Sequence, residues 1–309
     1  MEASLRVTLV FMNSPKHHLD ILLNPGNRRA FSSHGRHWQT NRYVYPVVSR
    51  RSGGISIGVN LNPDKVCNFD CVYCCVDRKI AGGPSEVDLT ILQSELVAML
   101  KMVQSGDIYD FDPFSGVAPA LRRINDIAFS GDGEPTTCPQ FFPACRLAAA
   151  ILQTFQLSEV KIVVITNATM LHRPAIENAL SFLDQHNGEI WAKLDAGTEA
   201  YYRQVDRSTI PFQRILDNIT ACAIQRPIVI QTILLNLHGQ PPAPTEIVAY
   251  IQRIGKFCAA GGHIKLIQIY SIARQTTEAY ATALPPEALA DLGKQVAAAL
   301  PDIPVSIFP

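Results

Sequence analysis

The chain has 309 residues, with 27 lysines and arginines against 27 aspartates and glutamates, so that its formal net charge is zero. Apolar residues make up 47% of it and charged residues 17%, which excludes a disordered or coiled-coil chain and is typical of a globular protein. No apolar run is long enough to cross a bilayer and no clear signal peptide opens the chain, so we expect a cytoplasmic protein without membrane contact.

Residues 1–51 differ from the rest of the chain in charge. They hold eight lysines and arginines and two acids, a balance of +6, and four of the eight histidines. They lack clean helix or strand periodicity after residue 23. We therefore predict a basic N-terminal extension or lid over residues 1–51 and a folded domain over residues 52–309. The extension is interpreted either as a solvated arm or as a patch that meets phosphate or another anion.

From residue 53 onward, strand and helix patterns alternate. Apolar runs predict strands at 55–61, 124–129, 160–165, 190–194, 228–235, 263–270 and 303–308. Helical spacing of apolar residues predicts helices at 90–105, 139–155, 173–184, 211–225, 245–258 and 286–300. At the start of the first helix, Thr90 and Gln93 fit a capping box. This succession of βα units predicts an α/β fold, a full or partial TIM-like barrel of parallel strands of the (β/α)6 type.

Four of the eight cysteines lie within nine residues, in the loop that follows the first predicted strand. Three of them have the spacing Cys67-x₃-Cys71-x₂-Cys74. Such clustering indicates a metal or cluster site in a reducing compartment. Three thiolates can bind three irons of a four-iron cube and leave the fourth iron open. The alternative is a zinc site with Cys75 or a histidine as fourth ligand, which the adjacent cysteines disfavour.

A glycine-rich loop follows the second predicted strand. Its sequence is Ser130-Gly131-Asp132-Gly133-Glu134-Pro135-Thr136. Glycines allow the backbone to approach a ligand closely, and the carboxylate of Glu134 can accept a hydrogen bond from an ammonium group. Because active sites of such folds lie at the carboxyl ends of the strands, the two loops are expected to serve one site.

Together, the two loops resemble the radical S-adenosylmethionine (SAM) superfamily. The cysteine spacing, with the aromatic Tyr73 before the third cysteine, is similar to the cluster loop of that superfamily. Residues 131–135 are similar to its methionine-binding motif, and they follow the next strand, as in the family. The resemblance covers about residues 50–275.

The resemblance implies a set of site residues. The ligands of a [4Fe-4S] cluster would be Cys67, Cys71 and Cys74. The methionine part of SAM, which chelates the open iron, would be held by Gly131, Gly133 and Glu134. Polar residues at later strand ends are expected to line the SAM pocket: Asn167, Lys193, Asp195 and Gln268. Lys193 would meet the SAM carboxylate and Asp195 the ribose hydroxyls, while the alternative for these two is a surface salt bridge.

The resemblance also implies an enzymatic reaction. A reduced cluster passes one electron to SAM, and the resulting 5′-deoxyadenosyl radical takes a hydrogen atom from a substrate. The protein orients these groups and excludes side reactions. An electron donor such as flavodoxin or ferredoxin is expected as a partner.

Several short strings narrow the resemblance to a group related to the tRNA wyosine-synthesis enzyme. They are SRRSGGISIGVN from Ser49, FSGDGEPT, ITNAT and KLDAG. The wyosine enzyme carries a second cluster on an N-terminal cysteine trio, whereas this chain has no cysteine before Cys67. Two substrate classes stay open: tRNA or another nucleotide-type substrate, and a small molecule or peptide. The remaining alternative is a zinc- or cluster-bearing nucleic-acid-binding module without catalysis.

Overall fold

A computed structural model describes residues 25–32 and 38–309 of the chain. These residues divide into two compact units. The N-terminal unit comprises residues 25–32, 38–70 and 76–192, and the C-terminal unit comprises Cys71–Cys75 and Lys193–Pro309. Most of the predicted N-terminal extension lies outside the described residues, so its role as a lid stays a prediction.

The N-terminal unit alternates strands and helices after an initial hairpin. Its strands are β1 (Val44–Ser49), β2 (Gly54–Val59), β3 (Ile124–Phe129), β4 (Lys161–Thr166) and β5 (Gly188–Lys193). Lys193, the last residue of β5, is counted with the C-terminal unit. Its helices are α1 (Pro25–Ser32), α2 (Leu89–Ser105), α3 (Phe141–Thr154) and α4 (Pro174–Asp184). Strand β1 pairs antiparallel with β2, whereas β2, β3, β4 and β5 pair in parallel in that order.

Valine and isoleucine make up half of β2 and most of β4, and both strands are largely buried. Every residue of β2 is buried, as is typical of parallel strands covered on both faces. Gly58 pairs with Tyr45 on β1, and a Cβ at Gly58 would lie 2.2 Å from the Tyr45 ring, so only glycine fits there. The Tyr45 hydroxyl lies 3.0 Å from Ser130 Oγ. The hairpin thus holds the start of the glycine-rich loop.

The C-terminal unit continues the alternation. Its strands are β6 (Ile228–Ile233), β7 (Leu235–Leu237), β8 (Ile264–Tyr270), β9 (Ala281–Ala283) and β10 (Val305–Phe308). Its helices are α5 (Glu199–Val205), α6 (Phe212–Gln225), α7 (Pro244–Ala259) and α8 (Pro286–Ala299). Strands β6 and β10 both pair in parallel with β8, while β7 and β9 form a separate antiparallel ribbon.

Each predicted strand and helix corresponds to an element of the structure, with ends shifted by a few residues. Strand β1 falls within the predicted extension, yet it pairs with β2 and is mostly buried. The Glu95 carboxylate fixes its start, since it accepts hydrogen bonds from the backbone N–H groups of Arg42, Tyr43 and Val44 at 2.7, 2.9 and 3.1 Å. This tertiary contact has no local sequence signal.

The prediction of a capping box at Thr90 is wrong. Asp88 is the N-cap of α2, and its carboxylate accepts hydrogen bonds from the backbone N–H groups of Thr90 at 2.8 Å and Ile91 at 3.2 Å. Aspartate is as good an N-cap as serine and better than threonine, which explains why the N-cap lies two residues before Thr90 and the helix begins at Leu89. Among the described residues, no helix is both long and apolar enough to cross a membrane.

Candidate active site

The glycine-rich loop after β3 packs against two segments of the N-terminal unit. A Cβ on Gly133 would lie 2.1 Å from the carbonyl oxygen of Val66, which precedes the first cysteine, and one on Gly131 would lie 2.3 Å from Asn60 Oδ1. Asn60 Nδ2 also donates a hydrogen bond to Asp132 at 2.7 Å. The space beside both glycines is filled by the chain, so only their backbone groups are available for the predicted contact with SAM.

Glu134 is buried, and its carboxylate joins the loops that follow β3 and β4. Its Oε1 accepts hydrogen bonds from the Thr136 backbone N–H at 3.2 Å, the Thr136 hydroxyl, and the Thr166 hydroxyl at 2.7 Å. Its Oε2 accepts from the Asn167 backbone N–H at 2.7 Å. Burial raises the pKa of Glu134, against the lowering effect of these hydrogen bonds. Oε2 accepts one hydrogen bond from the chain whereas Oε1 accepts three, so Oε2 is the oxygen with capacity for a further donor, such as an ammonium group.

The side chain of Asn167 is directed at the cysteine loop. Its Nδ2 donates to Asn68 Oδ1 at 2.7 Å, and its Oδ1 accepts from Thr169 Oγ1 at 2.7 Å. Asn68 Nδ2 in turn donates to Thr169 Oγ1 at 2.7 Å. This ring of three side chains holds the residue that follows Cys67. The structure therefore gives Asn167 a positioning role, while its predicted contact with SAM stays a prediction.

The Cys71–Cys75 segment is fixed within the C-terminal unit by backbone hydrogen bonds and apolar packing. The Val72 N–H donates to the Val205 carbonyl at 2.9 Å, and the Thr277 N–H donates to the Cys74 carbonyl at 2.9 Å. Val72 is fully buried in a cluster with Val205, Ile233, Leu235 and Ala281. The backbone between the second and third cysteines is therefore held by its surroundings.

Lys193 and Asp195 form a buried ion pair at the end of β5. Lys193 Nζ lies 3.1 Å from Asp195 Oδ2, and the two side chains are 16% and 1% exposed, so the salt bridge of the alternative is formed but does not lie at the surface. Lys193 also donates to the Tyr270 hydroxyl at 2.9 Å. Burial alone would lower the pKa of Lys193, but Asp195 and Tyr270 raise it above its ordinary value. Lys193 is thus an ammonium group at neutral pH.

Asp195 and a second buried carboxylate share the hydroxyl of Tyr73. Asp195 Oδ2 accepts a hydrogen bond from this hydroxyl, and Oδ1 accepts from the Ile233 backbone N–H at 2.9 Å. Asp206 Oδ1 lies 3.3 Å from the Tyr73 hydroxyl and 3.5 Å from Cys71 Sγ. Burial, and then Asp206, raise the pKa of Cys71, while burial, and then Asp195, raise the pKa of Asp206. Asp206 was not predicted from the sequence, because no motif marks a residue that follows a seven-residue helix.

Gln268 lies on β8 opposite Gln231 on β6. Both side chains are buried, and Gln231 Nε2 donates to Gln268 Oε1 at 3.3 Å. This amide pair satisfies two buried polar groups within the unit. The predicted contact of Gln268 with SAM stays a prediction.

Cys67, Cys71 and Cys74 are thiols of intermediate burial. Thiolates are the usual protein ligands of iron–sulfur clusters, so the donor chemistry fits the predicted group. Within residues 25–32 and 38–309, no three His, Cys, Asp or Glu side chains are arranged to hold a metal ion. The assignment of the three cysteines as cluster ligands therefore stays a prediction from the sequence.

Comparison with known sequences identifies the family. The model of the Radical SAM superfamily matches residues 61–249. A curated UPF0026 protein of Methanocaldococcus jannaschii is 27% identical over 184 residues, which are 57% of this chain and 48% of that protein. GTPase Obg of Brachyspira hyodysenteriae is 25% identical over 188 residues, which are 59% of this chain and 23% of that protein. The chain thus spans about half or less of the length of the curated relatives it matches.

Two solved structures share the fold. The alignment with TYW1 with a lysine-pyruvate adduct bound covers 80% of this chain and 74% of that chain, with 15% identity and a TM-score of 0.51. The alignment with SuiB of Streptococcus suis bound to S-adenosylmethionine covers 84% of this chain and 52% of that chain, with 10% identity and a TM-score of 0.52. This likeness confirms the predicted class, an α/β fold of the partial TIM-barrel type. The chain belongs to the Radical SAM superfamily, whose members are enzymes that use a [4Fe-4S] cluster and SAM.

Proposed function

We propose that this enzyme cleaves SAM reductively and removes a hydrogen atom from a nucleotide-type substrate such as tRNA. The supporting observation is the set of buried polar side chains that hold the residues around the cysteine motif, namely Asn167, Glu134, Tyr73 and Asp195. When bound, the cluster and SAM supply a 5′-deoxyadenosyl radical. The electron donor is proposed to be a flavodoxin or a ferredoxin.

The cluster ligands in this proposal are Cys67, Cys71 and Cys74. Asn68 and its partner Asn167 hold the backbone beside Cys67. Packing of Val72 holds the backbone beside the other two cysteines. The chain's contribution to this site is therefore to fix the ligands before the cluster binds, which reduces the entropy cost of binding it.

The proposed SAM contacts use hydrogen-bonding capacity that the chain itself leaves. Glu134 Oε2 accepts one hydrogen bond from the chain and would accept a second from the SAM ammonium group. The Lys193 ammonium group has three N–H donors, of which Tyr270 and Asp195 use two, and the third would meet the SAM carboxylate. Asp195 Oδ1 would accept from a ribose hydroxyl. Gln268 and the backbone of Gly131 and Gly133 complete the proposed contacts.

A group of four arginines is proposed to contact the phosphate backbone of tRNA. It lies at the amino ends of β2 and β3, whereas the cysteine loop and the glycine-rich loop follow the carboxyl ends of these strands, so this contact is made away from the reaction site. Arg50 and Arg51 lie in the turn between β1 and β2, and Arg122 and Arg123 directly precede β3. The two segments touch, because the Ile55 N–H donates to the Arg123 carbonyl at 2.8 Å. Arginine is well suited to phosphate, since its planar guanidinium group can bind two oxygens at once.

The first experiment tests SAM cleavage. The purified chain is reconstituted with iron and sulfide without oxygen, and 5′-deoxyadenosine is measured after addition of SAM and dithionite. We expect brown protein that forms this product, and we expect Cys71→Ala to lose both properties. Cys258→Ala, which changes an exposed cysteine of α7, is the matched control. Colourless protein that binds one zinc ion and forms no product would contradict the proposal.

The second experiment tests the substrate class through the salt dependence of binding to bulk tRNA. A double variant, Arg50→Ala with Arg123→Ala, should bind more weakly, and its slope of log affinity against log salt should fall by about 0.7 to 0.9 per arginine that contacts phosphate. The control is Lys256→Ala with Lys294→Ala, which removes two exposed cations elsewhere. Equal affinity of all three proteins for tRNA would favour a small molecule or peptide as substrate.

A further inference from the structure

Asn60, the residue that follows β2, lies against the glycine-rich loop. Its side chain is buried, and its amide makes three hydrogen bonds, two to Asp132 in that loop and one to Asn62. We propose that Asn60 is a positioning residue, which holds the glycine-rich loop in the conformation that binds the methionine part of SAM. The inference rests on the proposed function, because it assumes that residues 131–134 contact SAM.

Both ends of the Asn60 amide bind Asp132. Nδ2 donates to Asp132 Oδ2 at 2.7 Å, and Oδ1 accepts from the Asp132 backbone N–H at 3.1 Å. Asp132 is 6% exposed, so its carboxylate needs hydrogen-bond donors within the protein, and Asn60 supplies one of them. A single side chain therefore fixes both the backbone and the carboxylate of the residue that lies between the two glycines.

Asn60 is itself held in place by the sheet. Its backbone N–H donates to the Tyr43 carbonyl at 2.8 Å, and it directly follows β2, a strand in which every residue is buried. Val59, the residue before Asn60, pairs in parallel with Phe129, the residue before the glycine-rich loop. The two strand ends are thus already adjacent, and the Asn60 amide sets the conformation of the loop that leaves them.

Close packing makes the loop sensitive to this contact. A Cβ on Gly131 would lie 2.3 Å from Asn60 Oδ1 and 2.6 Å from Asn60 Cγ, so the loop backbone rests directly on the amide. A Cβ on Gly133 would lie 2.8 Å from Asn62 Cβ and 2.1 Å from the Val66 carbonyl oxygen. The loop therefore packs along residues 60–66, the segment that leads to the cysteine motif. A change at Asn60 should shift the proposed SAM contacts relative to that motif.

The first variant, Asn60→Asp, replaces the donor with an acceptor. It keeps the size of the side chain and the two hydrogen bonds at Oδ1, but it places a second carboxylate oxygen against Asp132 Oδ2. Loss of a hydrogen bond to a charged group is expected to weaken SAM binding about tenfold at pH 8, measured by equilibrium dialysis of the reconstituted protein. Iron content and the EPR spectrum of the reduced cluster without SAM should match those of the wild type, because the hydrogen bonds described for Asn60 go to Asn62, Asp132 and Tyr43.

The second variant exchanges the two residues, as Asn60→Asp with Asp132→Asn. The amide at position 132 can then donate to the carboxylate at position 60, so that the same hydrogen bond forms with donor and acceptor reversed. We expect SAM affinity to return to within about threefold of the wild type. The control is Asn125→Asp at the other end of β3, where the Asn125 amide donates to the Ser52 carbonyl. This variant should bind SAM as the wild type does.

Two results would overturn the inference. One is that Asn60→Asp binds SAM as tightly as the wild type, and the other is that the exchange variant binds it no better than Asn60→Asp. The melting temperatures of the metal-free proteins are measured as well. If Asn60→Asp does not fold, the exchange variant decides alone, and failure of that variant to fold or to bind SAM would overturn the inference.

All of these outcomes leave the proposed function standing, because the wild type still holds its cluster and binds SAM. A reconstituted wild type that carries a four-iron cluster but does not bind SAM would instead overturn the proposed function, and this inference with it.

Discussion

Two buried carboxylates follow parallel strands, Glu134 after β3 and Asp195 after β5. They differ in the groups that offset the free-energy cost of their burial. Glu134 accepts hydrogen bonds only from uncharged donors, which are the hydroxyl and backbone N–H groups of its own unit. Asp195 pairs with the buried ammonium group of Lys193 and with the Tyr73 hydroxyl. Both groups hold loops around the cysteine motif, but only Asp195 depends on a single cation.

A third buried carboxylate, Asp126, shows how burial changes the pKa. Asp126 on β3 is 2% exposed, and its best partner is the Ser56 hydroxyl on β2. Burial raises the pKa of Asp126 to about 6. Asp126 is costly to ionise because burial outweighs the lowering effect of the Ser56 hydroxyl and of Lys161 on its pKa. Four substitutions separate these cases.

The largest effect is expected from Lys193→Met, which leaves Asp195 buried without its cation. Breaking a buried ion pair by removing one partner typically costs 3–5 kcal/mol, and we expect about this loss in the free energy of unfolding. Urea denaturation of the metal-free protein measures it. Adding Asp195→Asn to this variant should restore part of the stability, and a loss under 1 kcal/mol would mean that the pair is not what compensates Asp195.

The next largest effect is a gain of stability in Asp126→Asn. Because the folded-state pKa of about 6 lies above the ordinary 3.8, the folded protein binds this proton more readily than the unfolded chain. The stability that Asp126 contributes is therefore present at low pH and lost as the pH rises through 6. At pH 8 the variant should gain up to about 3 kcal/mol, at about 1.4 kcal/mol per pKa unit. Urea denaturation at pH 8 and pH 4 measures it, and an equal gain at both would refute this explanation.

A smaller effect is expected from Glu134→Gln, because the amide nitrogen that replaces one oxygen cannot accept the hydrogen bonds made there. Leaving a buried donor such as the Asn167 N–H unsatisfied costs about 2 kcal/mol of unfolding free energy. The variant should still assemble the cluster but bind SAM about tenfold more weakly, by equilibrium dialysis of the reconstituted protein. Normal SAM affinity would show that Glu134 does not contact the SAM ammonium group.

The smallest effect is expected from Thr166→Val, which removes one of the four donors to Glu134 and keeps the shape of the side chain. The variant also loses the hydrogen bond that Thr166 Oγ1 accepts from the Ala168 backbone N–H at 3.0 Å, and the two losses together should cost about 1–2 kcal/mol of unfolding free energy. Thermal or urea denaturation measures it, with Thr154→Val as the control, since Thr154 is exposed and bonds only to the Ala150 carbonyl of its own helix. Equal losses in both variants would mean that the hydrogen bond between Thr166 and Glu134 does not contribute to the free energy of unfolding.

The sequence by itself determined the order of strands and helices, the cysteine motif and the glycine-rich loop. These features are encoded locally, in the period of apolar residues and in residues a few positions apart. The parallel pairing of the strands followed from their alternation with helices. Even so, strand β1 was missed, because it is fixed by Glu95, about 50 residues further along the chain.

Only the tertiary structure decided which groups satisfy the buried carboxylates. The partners of Tyr73 are 122 and 133 residues away in the chain, and those of Glu134 include residues 32 and 33 positions away. No local pattern carries such pairings, since a carboxylate has the same sequence signature whether it meets a cation, a hydroxyl or a ligand. The contacts of Asn167 and Asp206 beside the cysteines became visible only once folding had brought these distant segments into hydrogen-bonding distance.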